Sequence, residues 1–177
     1  MPDRIDALEV LLSPPAVARC VDDLAERLAP RLEDGAVGLT LLMGGMWFAA
    51  DLTRALARRG RRLMADGLWL ASYGDGRESA GRCEVRAGPQ RSLTGAQVLI
   101  IDDVIDTGVS LAQAVEIARA GGAAQVLTAV FARKPWPTAR AVEPDEFAWD
   151  APTRFLVGYG MDLGGRLRDL PYVAAAD

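Results

Sequence analysis

Val98-Leu99-Ile100-Ile101 is an apolar run without alternation, followed at once by Asp102-Asp103 and then by Asp106-Thr107-Gly108-Val109-Ser110. A strand with no polar face must be covered on both sides, the condition of a parallel strand inside an α/β sheet. Ligands of such sheets bind beyond the carboxyl ends of the strands. There, Asp102 and Asp103 can hold paired hydroxyls or a divalent cation, because an ionised carboxylate only accepts hydrogen bonds. Leu111, Ala114, Val115 and Ala118 predict a helix behind the loop, closed by Gly121-Gly122. The turn into its N-terminus points backbone N–H groups one way, and with the Thr107 and Ser110 hydroxyls it suits a phosphate dianion. Capping of the following helix is the plainer use of such acids. Three acids with Thr-Gly-x-Ser in one stretch favour a site for a phosphorylated sugar instead.

The rest of the chain reads as a single α/β domain over 1–177, with no internal repeat. Ser13 before Pro14-Pro15 opens a helix carrying Val17, Cys20, Val21, Leu24 and Leu28 at helical spacing, which stops near Pro30. Strands are expected at 37–43, 68–71, 83–86, 98–102, 125–132 and 155–159, all in one sheet, with a helix at 47–59 capped by Gly60. Residues 72–82 form a polar excursion. The Pro-rich stretch 135–152 is expected to be a long irregular connection over the pocket.

Bulk properties exclude several classes. No apolar run approaches about 18 residues and no signal-peptide pattern is present, so no membrane partner is expected and the cytoplasm is the expected location. Cys20 and Cys83 lack metal-ligand spacing and are read as free thiols. A net charge of -4 opposes a nucleic-acid partner, and Arg58, Arg59, Arg61 and Arg62 are read as a solvated helix end. The chain has no histidine. A general base must therefore be a carboxylate, a tyrosine, a cysteine or the lysine.

The stretch from Leu99 to Ser110 resembles the PRPP-binding motif of type I phosphoribosyltransferases, and further segments resemble the hypoxanthine-guanine branch. Leu41-Leu42-Met43-Gly44-Gly45 looks like its pyrophosphate loop, and Ser72-Tyr73-Gly74 with Glu78-Ser79 like its mobile closing loop. Lys134-Pro135 falls where the branch places its purine-reading lysine. Phe155 to Asp162, with Arg168 to Tyr172, looks like its base-binding segment, about 134–170 in all. The resemblance implies a mainly parallel sheet flanked by helices, a flexible hairpin loop and a small base-binding hood. It also implies a cis peptide at Leu42-Met43. Met43 departs from the pattern, since many members carry Lys or Arg there.

The implied activity is transfer of the phosphoribosyl group of PRPP to hypoxanthine, guanine or xanthine, giving the nucleoside monophosphate and pyrophosphate, in purine salvage with Mg2+. The implied base is Asp106. Asp102 and Asp103 would hold the ribose hydroxyls or the metal, with Asp162 as a further metal residue. Asp106, Thr107, Gly108, Val109 and Ser110 would bind the 5′-phosphate, and Met43, Gly44 and Arg168 the pyrophosphate. Ser72 and Tyr73 would close over the centre. Lys134, Phe155, Leu156 and Asp162 would read the purine. Lys134 is the only lysine against nineteen arginines; its donor-only ammonium pairs with O6 of a 6-oxopurine and not with the amino group of adenine. A surface lysine, a core role for Phe155 and an Arg168 salt bridge to a neighbour such as Asp169 are the plainer alternatives. The resemblance also implies a homodimer or homotetramer, for which the apolar face of the first helix is a candidate contact. A non-catalytic regulator that senses PRPP or a nucleotide is the second functional class considered, and a phosphoacceptor receiver domain the third. The receiver reading is weakened because about a hundred residues with candidate strands precede the acid pair.

Overall fold

In the computed structural model, which describes residues 8–72 and 83–176, twelve elements follow in the order β1 (Glu9–Leu12), α1 (Pro14–Leu28), β2 (Val37–Leu42), α2 (Met46–Arg58), β3 (Met64–Ser72), β4 (Cys83–Ala87), β5 (Gln97–Ile105), α3 (Val109–Ala120), β6 (Gln125–Arg133), β7 (Glu146–Asp150), β8 (Leu156–Val157) and β9 (Val173–Ala175). The main sheet has the order β4-β3-β2-β5-β6-β7. All its pairs are parallel except β3 with β4. β5 sits in the interior, with Val98 opposite Val37 on one side and Val126 on the other.

Burial on both faces explains the apolar run. Leu99 and Ile101 join a core with Leu24 and Leu28 of α1 and Phe48, Leu52 and Leu56 of α2. Val98 and Ile100 join a second core with Leu111, Ala114 and Ala118 of α3. The apolar face of α1 is thus spent inside its own fold, and Val17, Val21, Leu24 and Leu28 are all buried.

Three expectations are corrected. β5 does not end at Asp102 but runs on to Ile105, so Asp103 lies within it as well, with Asp102 opposite Val130 and Val104 opposite Ala132 of β6. The Pro-rich connection is not wholly irregular. Glu146 to Asp150 form β7, an edge strand held by two Arg133 hydrogen bonds to Asp150 and by Arg27 and Arg31 of the α1 region on Glu146. Its brevity, between Pro144 and Pro152, hides it from a periodicity argument. The segment 155–159 does not complete the main sheet. Its Leu156–Val157 pairs with β9, which pairs with β1, in a separate antiparallel sheet.

That small sheet leads into the hood. Directly after β8 the backbone turns through positive φ at Gly158 (88°), Tyr159 (49°) and Gly160 (101°). The Tyr159 ring meets Phe131 edge-on, with centroids 4.8 Å apart, and its hydroxyl donates to Asp51 of α2 at 3.0 Å. Gly160 comes so close to the loop after β2 that a Cβ there would lie 2.1 Å from the Gly44 carbonyl oxygen.

This approach generates a paired prediction. Gly95 also has positive φ, but a Cβ there meets nothing within 4 Å, so Gly95→Ala is expected to cost about 1 kcal/mol from backbone conformation alone. Gly160→Ala should cost about 1–3 kcal/mol more, because the Gly44 backbone must move. Urea unfolding of both variants checks it, and equal losses would contradict the close contact.

Candidate active site

The carboxyl end of β5 opens onto two adjoining cavities. The first, about 290 Å³, is lined by Asp102 and by the turn from Asp106 through Ser110. Gly108, at φ 77°, redirects the chain into α3, and the Thr107 hydroxyl accepts the Val109 N–H at 3.3 Å. A Cβ on Gly108 would lie 2.7 Å from the Val142 carbonyl oxygen, so the Pro-rich connection packs directly against this turn. Backbone donors of a helix N-terminus, the Thr107 and Ser110 hydroxyls and a cavity of this size suit a phosphate group.

The second cavity, about 270 Å³, is lined among others by Met43, Gly44, Asp102, Asp103, Asp162 and Arg168. Asp102, Val104 and Ser110 line both. The Leu42-Met43 peptide is cis, as the resemblance implied. A Cβ on Gly44 would fall 2.0 Å from Oδ2 of Asp103, so only glycine lets the loop lie against that carboxylate. Arg168 donates to the Gly160 carbonyl and pairs with Asp162 at 2.6 Å. Its carboxylate partner is therefore Asp162 and not the neighbouring Asp169.

The acid pair is electrostatically loaded. Burial, and then the charge of Asp103 beside it, hold the Asp102 carboxyl well above the usual carboxylate range. Burial also raises Asp103, against a hydrogen bond from the Asp102 carboxyl and the pull of the Arg168 guanidinium. A cation bound between them would offset that cost, since it favours the charged form of both carboxyls.

Asp106 stands apart from them, half in solvent, with its carboxylate 3.6 Å from Nζ of Lys134. The Lys134 side chain is only 16% exposed, and its backbone N–H donates to Ile105 at 3.3 Å. It is no ordinary surface lysine. The ends of β5 and β6 lie side by side, with Ile105 opposite Arg133, and this brings Asp106 and Lys134 together across a parallel pair.

Other expected residues are placed differently. Phe155 is 47% exposed, so the core alternative for it fails; it lines neither cavity. Leu156 is buried, with its backbone paired to Ala175. Ser72 ends β3, opposite Cys83, whereas Tyr73, Gly74, Glu78 and Ser79 lie outside the described residues. One residue escaped sequence reasoning altogether. Arg140 reaches under the Asp106 turn, donating to the Asp106 carbonyl at 2.8 Å. No spacing rule singles out one arginine of a Pro-rich segment.

Residues 19–162 match the family described as the phosphoribosyl transferase domain. The chain is similar to the hypoxanthine-guanine phosphoribosyltransferase of Bacillus subtilis (strain 168), 30% identical over 169 residues that cover 95% of this chain and 92% of the relative. It is also similar to that of Aquifex aeolicus (strain VF5), 30% identical over 168 residues, 94% of this chain and 93% of the relative. Among solved structures, a hypoxanthine phosphoribosyltransferase from Staphylococcus aureus matches with a TM-score of 0.86 at 26% identity, covering 96% of this chain and 91% of that one. A point mutant of the Trypanosoma cruzi hypoxanthine phosphoribosyltransferase, complexed with the product IMP, matches with a TM-score of 0.88 at 25% identity, covering 99% and 95%. The matched span begins in α1, ends at Asp162 and takes in every lining residue of the two cavities except Arg168: this chain belongs to the phosphoribosyltransferase family.

Proposed function

We propose that this protein is a 6-oxopurine phosphoribosyltransferase of purine salvage, which transfers the phosphoribosyl group of PRPP to hypoxanthine or guanine and releases pyrophosphate. The observation that carries the reading is the 3.6 Å pair between Asp106 and the sole lysine, Lys134. A 6-oxopurine protonated at N7 presents an acceptor, O6, beside a donor, N7–H. An ammonium beside a carboxylate is the complement of that edge. Adenine presents two donors there, one of which would face the ammonium. Relatives named hypoxanthine-guanine phosphoribosyltransferase, and one structure holding IMP, support the same substrate class.

On this reading the 5′-phosphate occupies the cavity at Asp106 to Ser110, with Thr107, Gly108 and Val109 supplying hydroxyl and backbone donors. The ribose hydroxyls meet Asp102 and Asp103. A purine ring nitrogen forms the bond to C1′ as the bond from C1′ to the pyrophosphate oxygen breaks, and Asp106 takes the imidazole proton. The acids at the end of β5 favour the positive charge that develops on the ribose ring. Gly44, Met43 and Arg168 receive the pyrophosphate, with Arg168 offering a planar donor fork. Phe155 would stack on the base, and backbone groups near Leu156 and Asp162 would read its far edge.

The acid pair offers only oxygen ligands, and both acids line the second cavity, which fits a magnesium ion. Asp102 and Asp103, with Asp162 on the same cavity, would hold it. Among the described residues no group of three such ligands stands together, and magnesium commonly keeps water and substrate oxygens in its shell. When bound, the ion offsets charge on the departing pyrophosphate. No helix among the described residues is long and apolar enough to cross a membrane, and a cytoplasmic enzyme acting as a homodimer or homotetramer is the companion proposal.

The first test offers hypoxanthine, guanine, xanthine, adenine, uracil and orotate separately with PRPP and magnesium. Turnover confined to 6-oxopurines is expected. Turnover of adenine contradicts the reading of Lys134, and no turnover with any base brings forward the sensor reading. Asp106→Asn should lower kcat by about 100-fold or more while PRPP binding is kept, and near-normal turnover would remove Asp106 as the base. Lys134→Met, which keeps the apolar stem, should lower kcat/KM for hypoxanthine by about 10- to 100-fold, the worth of a hydrogen bond to a charged group. Steady-state kinetics reads both.

A further inference from the structure

Arg140 lies in the connection between β6 and β7, and its side chain is only 7% exposed although its partner Glu143 is largely in solvent. Each of its guanidinium nitrogens is engaged. Nε donates to the Asp106 carbonyl at 2.8 Å. One terminal nitrogen donates to the Lys134 carbonyl, and the other grips Glu143 at 2.8 and 3.1 Å. A single planar fork thus holds the backbone of both residues whose side chains form the Asp106–Lys134 pair. The next residues strengthen the brace: the Ala141 N–H donates to the Thr107 carbonyl at 3.0 Å, and Val142 closes on Gly108.

We infer that Arg140 is a positioning residue that sets the separation of Asp106 and Lys134, and so tunes recognition of the purine edge without touching the substrate. The physical basis is reach and rigidity. Asp106 is in a loop beyond β5 and Lys134 is the first residue beyond β6, and the β5–β6 ladder ends at Ile105 and Arg133. Beyond that point the Lys134 N–H to Ile105 contact and the Arg140 fork tie the two backbones directly. Glu143 balances the guanidinium charge, so the fork acts by geometry and adds no net charge. A lysine at this position keeps the charge but cannot serve both carbonyls and the carboxylate with a fixed fork.

The inference rests on the proposed function, and its test separates the two. Arg140→Lys, Arg140→Gln and Arg140→Ala are compared with the unmodified protein in hypoxanthine transfer. The same four proteins are then titrated with IMP and with ribose 5-phosphate, which carries the phosphate and sugar but no base. All three variants are expected to lose at least about tenfold in kcat/KM for hypoxanthine, with the KM for PRPP moving less than about threefold. The preference for IMP over ribose 5-phosphate should fall by about tenfold as well. Arg140→Lys performing like the unmodified protein overturns the fork argument. A lowered Tm with kinetics and IMP preference unchanged below it assigns Arg140 a structural role only and also overturns the inference. If Arg140→Ala does not fold, the Lys and Gln variants decide the matter. Absence of turnover together with absence of IMP preference in the unmodified protein counts against the proposed function itself; IMP preference that persists in the variants counts against Arg140 alone.

Discussion

Residues 98–101 of β5 are enclosed by apolar side chains on both faces, by α1 and α2 through Leu99 and Ile101 and by α3 through Val98 and Ile100. That enclosure sets where everything polar must go. Interior burial of the run aligns β5 with β6 along almost its full length and with β2 over Val98 to Ile101, and the first positions at which a carboxylate can be tolerated are those at the mouth of the sheet. Asp102 and Asp103 occupy them. Because they remain inside the strand, they are desolvated, which raises both carboxyls, and the charge of Asp103 raises Asp102 further. A pair of acids on a solvent loop would carry no such tension and would have no comparable demand for a cation or a diol.

The parallel arrangement matters equally for Asp106 and Lys134. In a parallel sheet all strands deliver their carboxyl ends to one edge, so residues just past β5 and β6 become neighbours although the whole of α3 and its flanking turns separate them in the chain. The hood reaches the same edge by a different route. After Val157 the backbone leaves extended conformation through Gly158, Tyr159 and Gly160, and the Gly160 contact with Gly44 seats it against the loop after β2. Asp162 and Arg168 then complete the second cavity from above. The site is thus assembled from ends of three strands and a small second sheet, with Asp102 lining both of its cavities.

Much of this was legible in the residues. Helical spacing located α1, α2 and α3 to within a residue or two, with Gly60 and Gly121-Gly122 marking the ends of the last two. The apolar run and the acids after it identified the central strand and the mouth of the site. What escaped was whatever depended on partners distant in sequence. β7 is a short edge strand whose pairing with β6 is secured by Arg133 and by the Thr128 contacts to Asp145. β8 looked like one more strand of the main sheet because two buried residues carry no label of which sheet they join. The extent of β5 was underestimated because aspartate has poor strand propensity, and the ladder with β6 overrides it.

The sequence alone determined the class of fold and the central strand, and it singled out the turn behind that strand and the side chains proposed to act there, because these depend on local spacing and on residue chemistry. Only the tertiary structure decided that Lys134 faces Asp106, that Arg168 pairs with Asp162 rather than Asp169, and that Arg140 lies beneath the turn. The physical reason is that hydrogen bonds and ion pairs are short-ranged. They act at about 3 Å, so they are set by which strand ends the sheet brings together, and a linear order of residues does not contain that distance.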